Sequence, residues 1–279
     1  MLSAGVAPWW VFLMSSGCFF FYTTMDAIDG GQARRTKSSS PLGQLFDHGC
    51  DGVLSGIAPI LQVHALGLGL TRELPLLIAV TQGLFFLGMW EEKYTGICRT
   101  TILGLIGTTE FMMFFVAHQF SAAFLVPKSL HFWIFLITFS GAFFSASTSV
   151  ISVLRNAKKS TSALTEIGAI FALNFAFYYA NFEKSTFAPY LVQALTNSFL
   201  IIRMIVASMS KTPFDSIQLI VVPPIMCIAF TPSWINMYLI GLFLFMGFYL
   251  VNICSQIACA LGISVFRIPL IKISSSKSS

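Results

Sequence analysis

The sequence predicts an all-α, polytopic transmembrane helical bundle, on three observations. Charge is scarce: 10% of the 279 residues are Asp, Glu, Lys or Arg, against about 25% in an ordinary soluble domain. Apolar residues make up 56% of the chain, with 29 Phe among them, and they fall in runs. Several runs reach the roughly 20 residues that a helix needs to cross ~30 Å of hydrocarbon. The links between them are short, which favours one bundle over separate domains. A net charge of +5 spread over such a chain is too diffuse to suggest a nucleic acid. The expected partner is the lipid bilayer.

About nine spans follow in order, at about 5–25, 43–69, 74–92, 101–125, 130–154, 162–182, 187–208, 215–231 and 233–262. The first is a Trp- and Phe-rich run that stops where Asp26 brings in charge. The second begins after a basic loop over 26–42, and the third ends at the charged cluster Glu91, Glu92 and Lys93. The fourth and fifth flank Lys128; the sixth follows Lys158 and Lys159; the seventh follows Lys184. The eighth is short and carries Pro223-Pro224, which predicts a kink that a protein-packed membrane interior tolerates. The ninth runs to the end of the apolar sequence. Residues 1–273 therefore read as a single transmembrane domain, and Ser274–Ser279 as a disordered tail.

Lysine and arginine orient the bundle. If the 26–42 loop is cytosolic, twelve basic residues share its side, and only Arg72, Lys128 and Lys184 fall on the other. Such a split fits the positive-inside rule. It places the N-terminus on the lumenal side without a basic signal region, which leads us to expect a further hydrophobic helix upstream. The six cysteines include no Cys-x-x-Cys pair and read as buried, reduced thiols.

Four of the eleven acidic residues lie within 26 positions: Asp26, Asp29, Asp47 and Asp51. On helices, Asp26 and Asp29 share one face, as do Asp47 and Asp51. Two adjacent helices would aim four carboxylates at one point near the cytosolic boundary. Their repulsion at reduced dielectric calls for a cation, and oxygen-only ligands point to Mg²⁺ or Mn²⁺, with room for two ions. Gly30 permits close backbone approach, Ala33 keeps the helix face small, and Arg34 offers a fork of donors to phosphate oxygens.

The pattern Asp26-x2-Asp29-Gly30-x2-Ala33-Arg34-x8-Gly43-x3-Asp47-x3-Asp51 resembles the signature of the CDP-alcohol phosphotransferases at all eight fixed positions. The surrounding "DAIDGGQARRTKSSSPLGQLFDHGCD" is similar to the eukaryotic choline and ethanolamine phosphotransferase branch. Weaker echoes occur in "GTTE", "RMIVASMSK" and "ICSQIACALGISVFRI". The resemblance implies a ten-helix fold that lacks its first helix here. It implies that Asp26, Asp29, Asp47 and Asp51 hold two metal ions, with Asp51 the general base, and that Gly30, Ala33, Arg34 and Gly43 accommodate the CDP group.

The implied reaction transfers phosphocholine or phosphoethanolamine from CDP-choline or CDP-ethanolamine to diacylglycerol, releasing CMP. The implied setting is the endoplasmic reticulum or Golgi membrane, with the site facing the cytosol and the enzyme often a homodimer. Glu110, in the Thr-Glu of "GTTE", is a further catalytic candidate, since intramembrane acids are costly. Met89 and Ser208 stand where relatives carry histidine. A CDP-diacylglycerol-dependent synthase of the phosphatidylinositol type keeps the chemistry with another donor. A cation transporter and a non-catalytic paralogue are the non-enzyme alternatives.

Among the remaining residues, Glu91, Glu92 and Lys93 read as solvated interface charges, and Trp90 and Tyr94 as lipid-interface anchors. Arg203 reads as snorkelling or paired. His64, His118 and His131 read as interface or hydrogen-bonding groups.

The charge split makes a direct prediction. Single cysteines replacing Ser39 and Lys158 should react with a membrane-impermeant thiol reagent only from the cytosolic side, and one replacing Lys128 only from the lumenal side. Labelling of Ser39→Cys and Lys158→Cys from opposite sides would overturn this topology.

Overall fold

The computed structural model describes residues 7–67, 70, 73–97, 101–102, 106–124, 128–157, 160–180, 187–230 and 232–265. The predicted tail, 274–279, lies outside the described residues. Ten α-helices occur among those described: α1 Trp9–Thr36, α2 Pro41–Ala65, α3 Glu73–Thr95, α4 Thr108–Ala122, α5 Lys128–Asn156, α6 Ser160–Glu166, α7 Gly168–Tyr179, α8 Ala188–Ser210, α9 Val222–Phe230 and α10 Ile235–Leu261. A two-residue antiparallel ladder, Thr101–Ile102 with Ile106–Gly107, precedes α4. The protein is thus an all-α, polytopic membrane protein. Among the described residues, α1, α3, α8 and α10 are long and apolar enough to cross a bilayer.

Three elements depart from the sequence reading. The 26–42 stretch is mostly helix, because α1 continues past its apolar run to Thr36 and the connection shrinks to residues 37–40. Gln32, Ala33, Arg34 and Arg35 are good helix formers, and the two arginines lie in the last turn, where they favour the negative end of the helix dipole. Lys37 then ends the helix in the left-handed conformation at φ 55°. The sixth segment is two short helices, α6 and α7, that meet at Ile167. Pro223 and Pro224 sit in the first turn of the short α9, where a missing N–H costs little.

The second helix starts sharply. Ser40 is its N-cap, accepting from the Gly43 backbone N–H through Oγ at 3.1 Å, and Pro41 fills the first turn. This short, well-defined connection fixes α2 relative to the end of α1.

Helix α8 is the centre of the bundle. Val192, Ile201 and Met204 are fully buried on it, and it packs against α2, α3, α7 and α10. Small residues bring α2 onto α8, as is common between membrane helices. A Cβ at Gly52 would stand 2.8 Å from Ile201 Cγ2, and one at Gly56 would stand 2.5 Å from Gln82 Nε2 and 2.9 Å from Ala194 Cβ. Buried amides tie the same helices together. Gln82 on α3 donates through Nε2 to the Ala194 carbonyl at 2.9 Å and to Ser198 Oγ at 3.0 Å, while Ser198 donates to the Gly52 carbonyl at 3.1 Å. A second group joins α3, α7 and α8: Gln193 donates to the Pro75 carbonyl and to Asn174 Oδ1, which also accepts from Asn197. Each bond occupies a polar group that would be costly to leave unpaired in an apolar interior.

The described cysteines are free, as expected, but none is buried: Cys18, Cys50 and Cys259 are exposed, and Cys227 and Cys254 are intermediate. Membrane helices can turn apolar thiols towards lipid as readily as towards a core.

The tight glycine contacts yield a stability prediction. Gly56→Ala should lower stability by about 1–3 kcal/mol through overpacking against Gln82 and Ala194. Gly49→Ala meets nothing within 4 Å and should be near neutral. Thermal unfolding in detergent compares them, and equal melting temperatures would refute the close α2–α8 contact.

Candidate active site

The end of α1 and the start of α2 lie side by side because only residues 37–40 separate them. That hairpin brings Asp26 against Asp47 and Asp51, and one carboxylate oxygen from each lies within 4.8 Å of the others. Asp29, one turn beyond Asp26, is exposed and stands outside this trio. It nonetheless lines the same cleft, of about 490 Å³, together with Tyr22, Asp26, Ala33, Asp47 and Cys50.

The signature's small residues stand open. A Cβ at Gly30 would meet only Arg34 Nη1, at 3.5 Å, and one at Gly43 only Ser40 Oγ, at 3.6 Å. Packing within the chain does not demand glycine at either place, in contrast with Gly52 and Gly56. Arg34 is exposed on the last turn of α1, next to Ala33.

Around the trio lie further polar residues, of which Tyr22 and Gln44 are ones the sequence reading did not assign. Tyr22 donates its hydroxyl to Asp51 Oδ1 at 2.7 Å. It lies four residues before Asp26, and that i, i+4 spacing was the available signal. Gln44 donates to Glu92 Oε1 at 2.8 Å. His48 stands between two carboxylates, 3.8 Å from Asp47 Oδ2 and 4.0 Å from Glu92 Oε2. Helix α3 thereby flanks the start of α2 with polar groups.

Other expectations resolve differently. Glu91 and Lys93 are not solvated interface charges. Glu91 is buried and accepts from Ser149 Oγ at 2.8 Å. Lys93 pairs with Glu166 at 2.6 Å, and Glu166 also accepts from Trp90 Nε1 at 3.1 Å. Trp90 is fully buried, so it anchors α3 to α6 rather than to the lipid interface. The indole N–H and the ammonium together satisfy one buried carboxylate, and the pairing makes the buried charges tolerable.

Arg203 is paired, as expected, with Asp215 at 3.3 Å and with Gln218 at 2.6 Å. His64 stacks on Phe187 and bonds to the Ile60 carbonyl, while His118 bonds to Gln62. Met89 is buried. Glu110 falls in the first turn of α4; its side chain, like that of His131, lies outside the described residues.

Among the described residues, the side chains close enough to share one ion are these three carboxylates, an oxygen donor set that suits a hard divalent cation rather than a soft one. A family model, CDP-alcohol phosphatidyltransferase, matches residues 6–146, just over half of the 279. The chain belongs to this family. An uncharacterised CDP-alcohol phosphatidyltransferase class-I family protein of Dictyostelium discoideum is 46% identical over 95 residues, 33% of this chain and 24% of that protein. Cholinephosphotransferase 1 of Xenopus laevis is 35% identical over 136 residues, 48% of this chain and 32% of the relative. The Gallus gallus cholinephosphotransferase 1 is 39% identical over 105 residues, 37% and 30% of the two chains. The chain thus spans about a quarter to a third of the length of these relatives.

The trio predicts cation binding that can be measured without turnover. Mn²⁺ binding to purified protein, read by electron paramagnetic resonance, should weaken by about tenfold or more in Asp47→Asn, since loss of even an outer partner of a metal ligand costs 10–100-fold. Asp215→Asn, paired with Arg203 elsewhere, should leave it unchanged. Equal affinities in Asp47→Asn and the parent would remove Asp47 from the cation site.

Proposed function

We propose that this CDP-alcohol phosphatidyltransferase transfers phosphocholine or phosphoethanolamine from the CDP-alcohol to diacylglycerol, forming phosphatidylcholine or phosphatidylethanolamine and releasing CMP. The observation that carries the reading is the trio Asp26, Asp47 and Asp51, with oxygens within 4.8 Å of one another beside an open cleft. The relatives named cholinephosphotransferase make CDP-choline the first donor to test.

In this reading Asp26, Asp47 and Asp51 hold divalent cations, Mg²⁺ or Mn²⁺, with Asp29 contributing at the cleft wall. Such ions neutralise phosphate charge and stabilise the leaving phosphate when bound. The chain's own residues do the positioning. The open ground at Gly30, Ala33 and Gly43 lets the nucleotide approach the helix backbones closely, and Arg34 meets its phosphate oxygens from the last turn of α1. A diacylglycerol hydroxyl then attacks the phosphorus that bears the alcohol. A new P–O bond forms, the bond to the CMP phosphate breaks, and the hydroxyl proton passes to Asp51. Tyr22 helps here: by donating to Oδ1 it fixes the carboxylate's rotation and leaves Oδ2 to face the acceptor. Glu110 is the second candidate for the base. In this reading the chemistry faces the cytosol, as the split of basic residues favours, in the endoplasmic reticulum or Golgi membrane that the family resemblance implies.

Two substitutions separate the roles. Asp29→Asn should weaken metal and nucleotide binding together and recover in part at high Mg²⁺, by mass action. Asp51→Asn should keep detectable CDP-choline binding yet lose about 10²–10⁴ in rate, the usual range for a general base, without recovery. The measurement is phospholipid formation across a metal titration, with nucleotide binding in parallel. Near-complete recovery of Asp51→Asn at high metal would make Asp51 a ligand only and transfer the base role to Glu110.

A further inference from the structure

One carboxylate beside the acidic trio takes no part in the proposed transfer. Glu92, on α3, meets the first turns of α2 and is largely shielded, with its side chain 15% exposed. Gln44 donates through Nε2 to Glu92 Oε1 at 2.8 Å. The other oxygen, Oε2, stands 4.0 Å from His48 Nδ1, and the far ring nitrogen, Nε2, stands 3.8 Å from Asp47 Oδ2. His48 Nδ1 is buried and has no hydrogen-bond partner among the described residues; Glu92 is the carboxylate that it faces. These groups form a line that leaves α2 at Gln44, crosses to α3 and returns through His48 to Asp47, a member of the trio.

A lone acid in this place would be a liability. A further negative charge near three others adds to their repulsion at reduced dielectric, and a shielded carboxylate without partners is costly. The imidazole stands between Glu92 and Asp47 and turns a nitrogen to each. What the line supplies is orientation. The terminal torsions of Asp and Glu are soft, so a carboxylate keeps one rotation only where neighbours hold it. Gln44 holds Oε1, which aims Oε2 at His48, and the ring, held on that side, presents Nε2 to Asp47. The anchor is firm because α3 is fastened close by, where Trp90 and Lys93 both bond to Glu166. Outer groups that orient metal-binding side chains set much of a site's affinity.

We infer that Glu92 is a positioning residue of the cation site: acting through His48, it fixes the rotation of Asp47. The inference rests on the cation-binding role proposed for Asp47. It sets Glu92 apart from groups that only hold the bundle together, because its effect must vanish once His48 is gone.

The test is a double-mutant cycle on Mn²⁺ affinity, read by electron paramagnetic resonance on the purified full chain in nanodiscs, with no turnover required. Glu92→Gln keeps the size of the side chain and an oxygen for Gln44, and removes the charge that faces His48. It should weaken Mn²⁺ binding about tenfold, as should His48→Asn, and the double variant should be no weaker than either single one. A loss that persists undiminished once residue 48 is already substituted, as follows if Glu92 serves only to hold Gln44, overturns the inference. An unchanged affinity in Glu92→Gln does the same. Asp47→Asn runs alongside. Loss of affinity there but not in Glu92→Gln rejects the positioning role alone; no loss in either rejects the cation site and the inference with it.

Elution profile and melting temperature verify that each variant folds. If Glu92→Gln aggregates, Glu92→Asp, which keeps the charge but withdraws it from His48 by one methylene, takes its place in the cycle. The folded variants are then assayed for head-group transfer across a Mg²⁺ titration. Glu92→Gln should raise the half-maximal Mg²⁺ concentration about tenfold and reach the parent's kcat at saturation, a split that a loosened fold would not give. A kcat that stays low at saturating Mg²⁺ overturns the inference.

Discussion

Like charges held close together near a bilayer are the constraint on which the rest of this structure depends. Asp26, Asp47 and Asp51 bring their oxygens within 4.8 Å, in surroundings where charge is poorly screened and repulsion correspondingly strong. Nothing local to the two helices favours that arrangement. It needs a covalent hairpin that leaves the helices little freedom, a scaffold that holds α2 in place, and a compensating cation. The first two are visible in the fold, and the third is the chemistry that the site implies.

The scaffold works from behind the site. One side of α2 carries the carboxylates, while Gly52 and Gly56 let α8 approach so closely that a methyl group would not fit. Gln82 and Ser198 then bind buried backbone carbonyls of α2 and α8 across the same contact. Helix α3 repeats the theme nearer the carboxylates, with Glu92 holding Gln44 and standing near His48, and it is itself fastened to α6 by the Lys93–Glu166–Trp90 group. Rigid support of this kind suits catalysis by positioning, where small displacements of reacting groups carry large rate penalties. The glycines divide accordingly. Those at 52 and 56 serve helix packing, and those at 30 and 43 stand open.

Much of this was legible in the sequence, and the reasons are specific. Apolar runs mark helices because a spanning chain must satisfy its backbone internally, so the helical class and most element positions followed from hydropathy. Spacing placed Asp47 and Asp51 on one face of α2 and brought Asp26 to them. The extent of α1 was not legible, because charge in 26–36 resembles a loop while the helix simply outlasts its apolar face. Asp29 and Asp26 share a face by spacing alone, yet only Asp26 reaches the trio, since α2 meets α1 one turn earlier. Burial of Glu91, Lys93 and Trp90 depended on Ser149 and Glu166, distant in sequence, and no local pattern announces such partners. Tyr22 was hidden among aromatics that elsewhere face lipid.

Head-group transfer by the purified protein in lipid nanodiscs tests the central claim most directly. Diacylglycerol and either CDP-choline or CDP-ethanolamine are supplied before EDTA treatment, after it, and with Mg²⁺ restored. The account predicts phospholipid and CMP in equal amounts, loss of both with EDTA, and their return with Mg²⁺. Folded protein that makes no phospholipid from either donor with Mg²⁺ present, or makes it undiminished in EDTA, would contradict it.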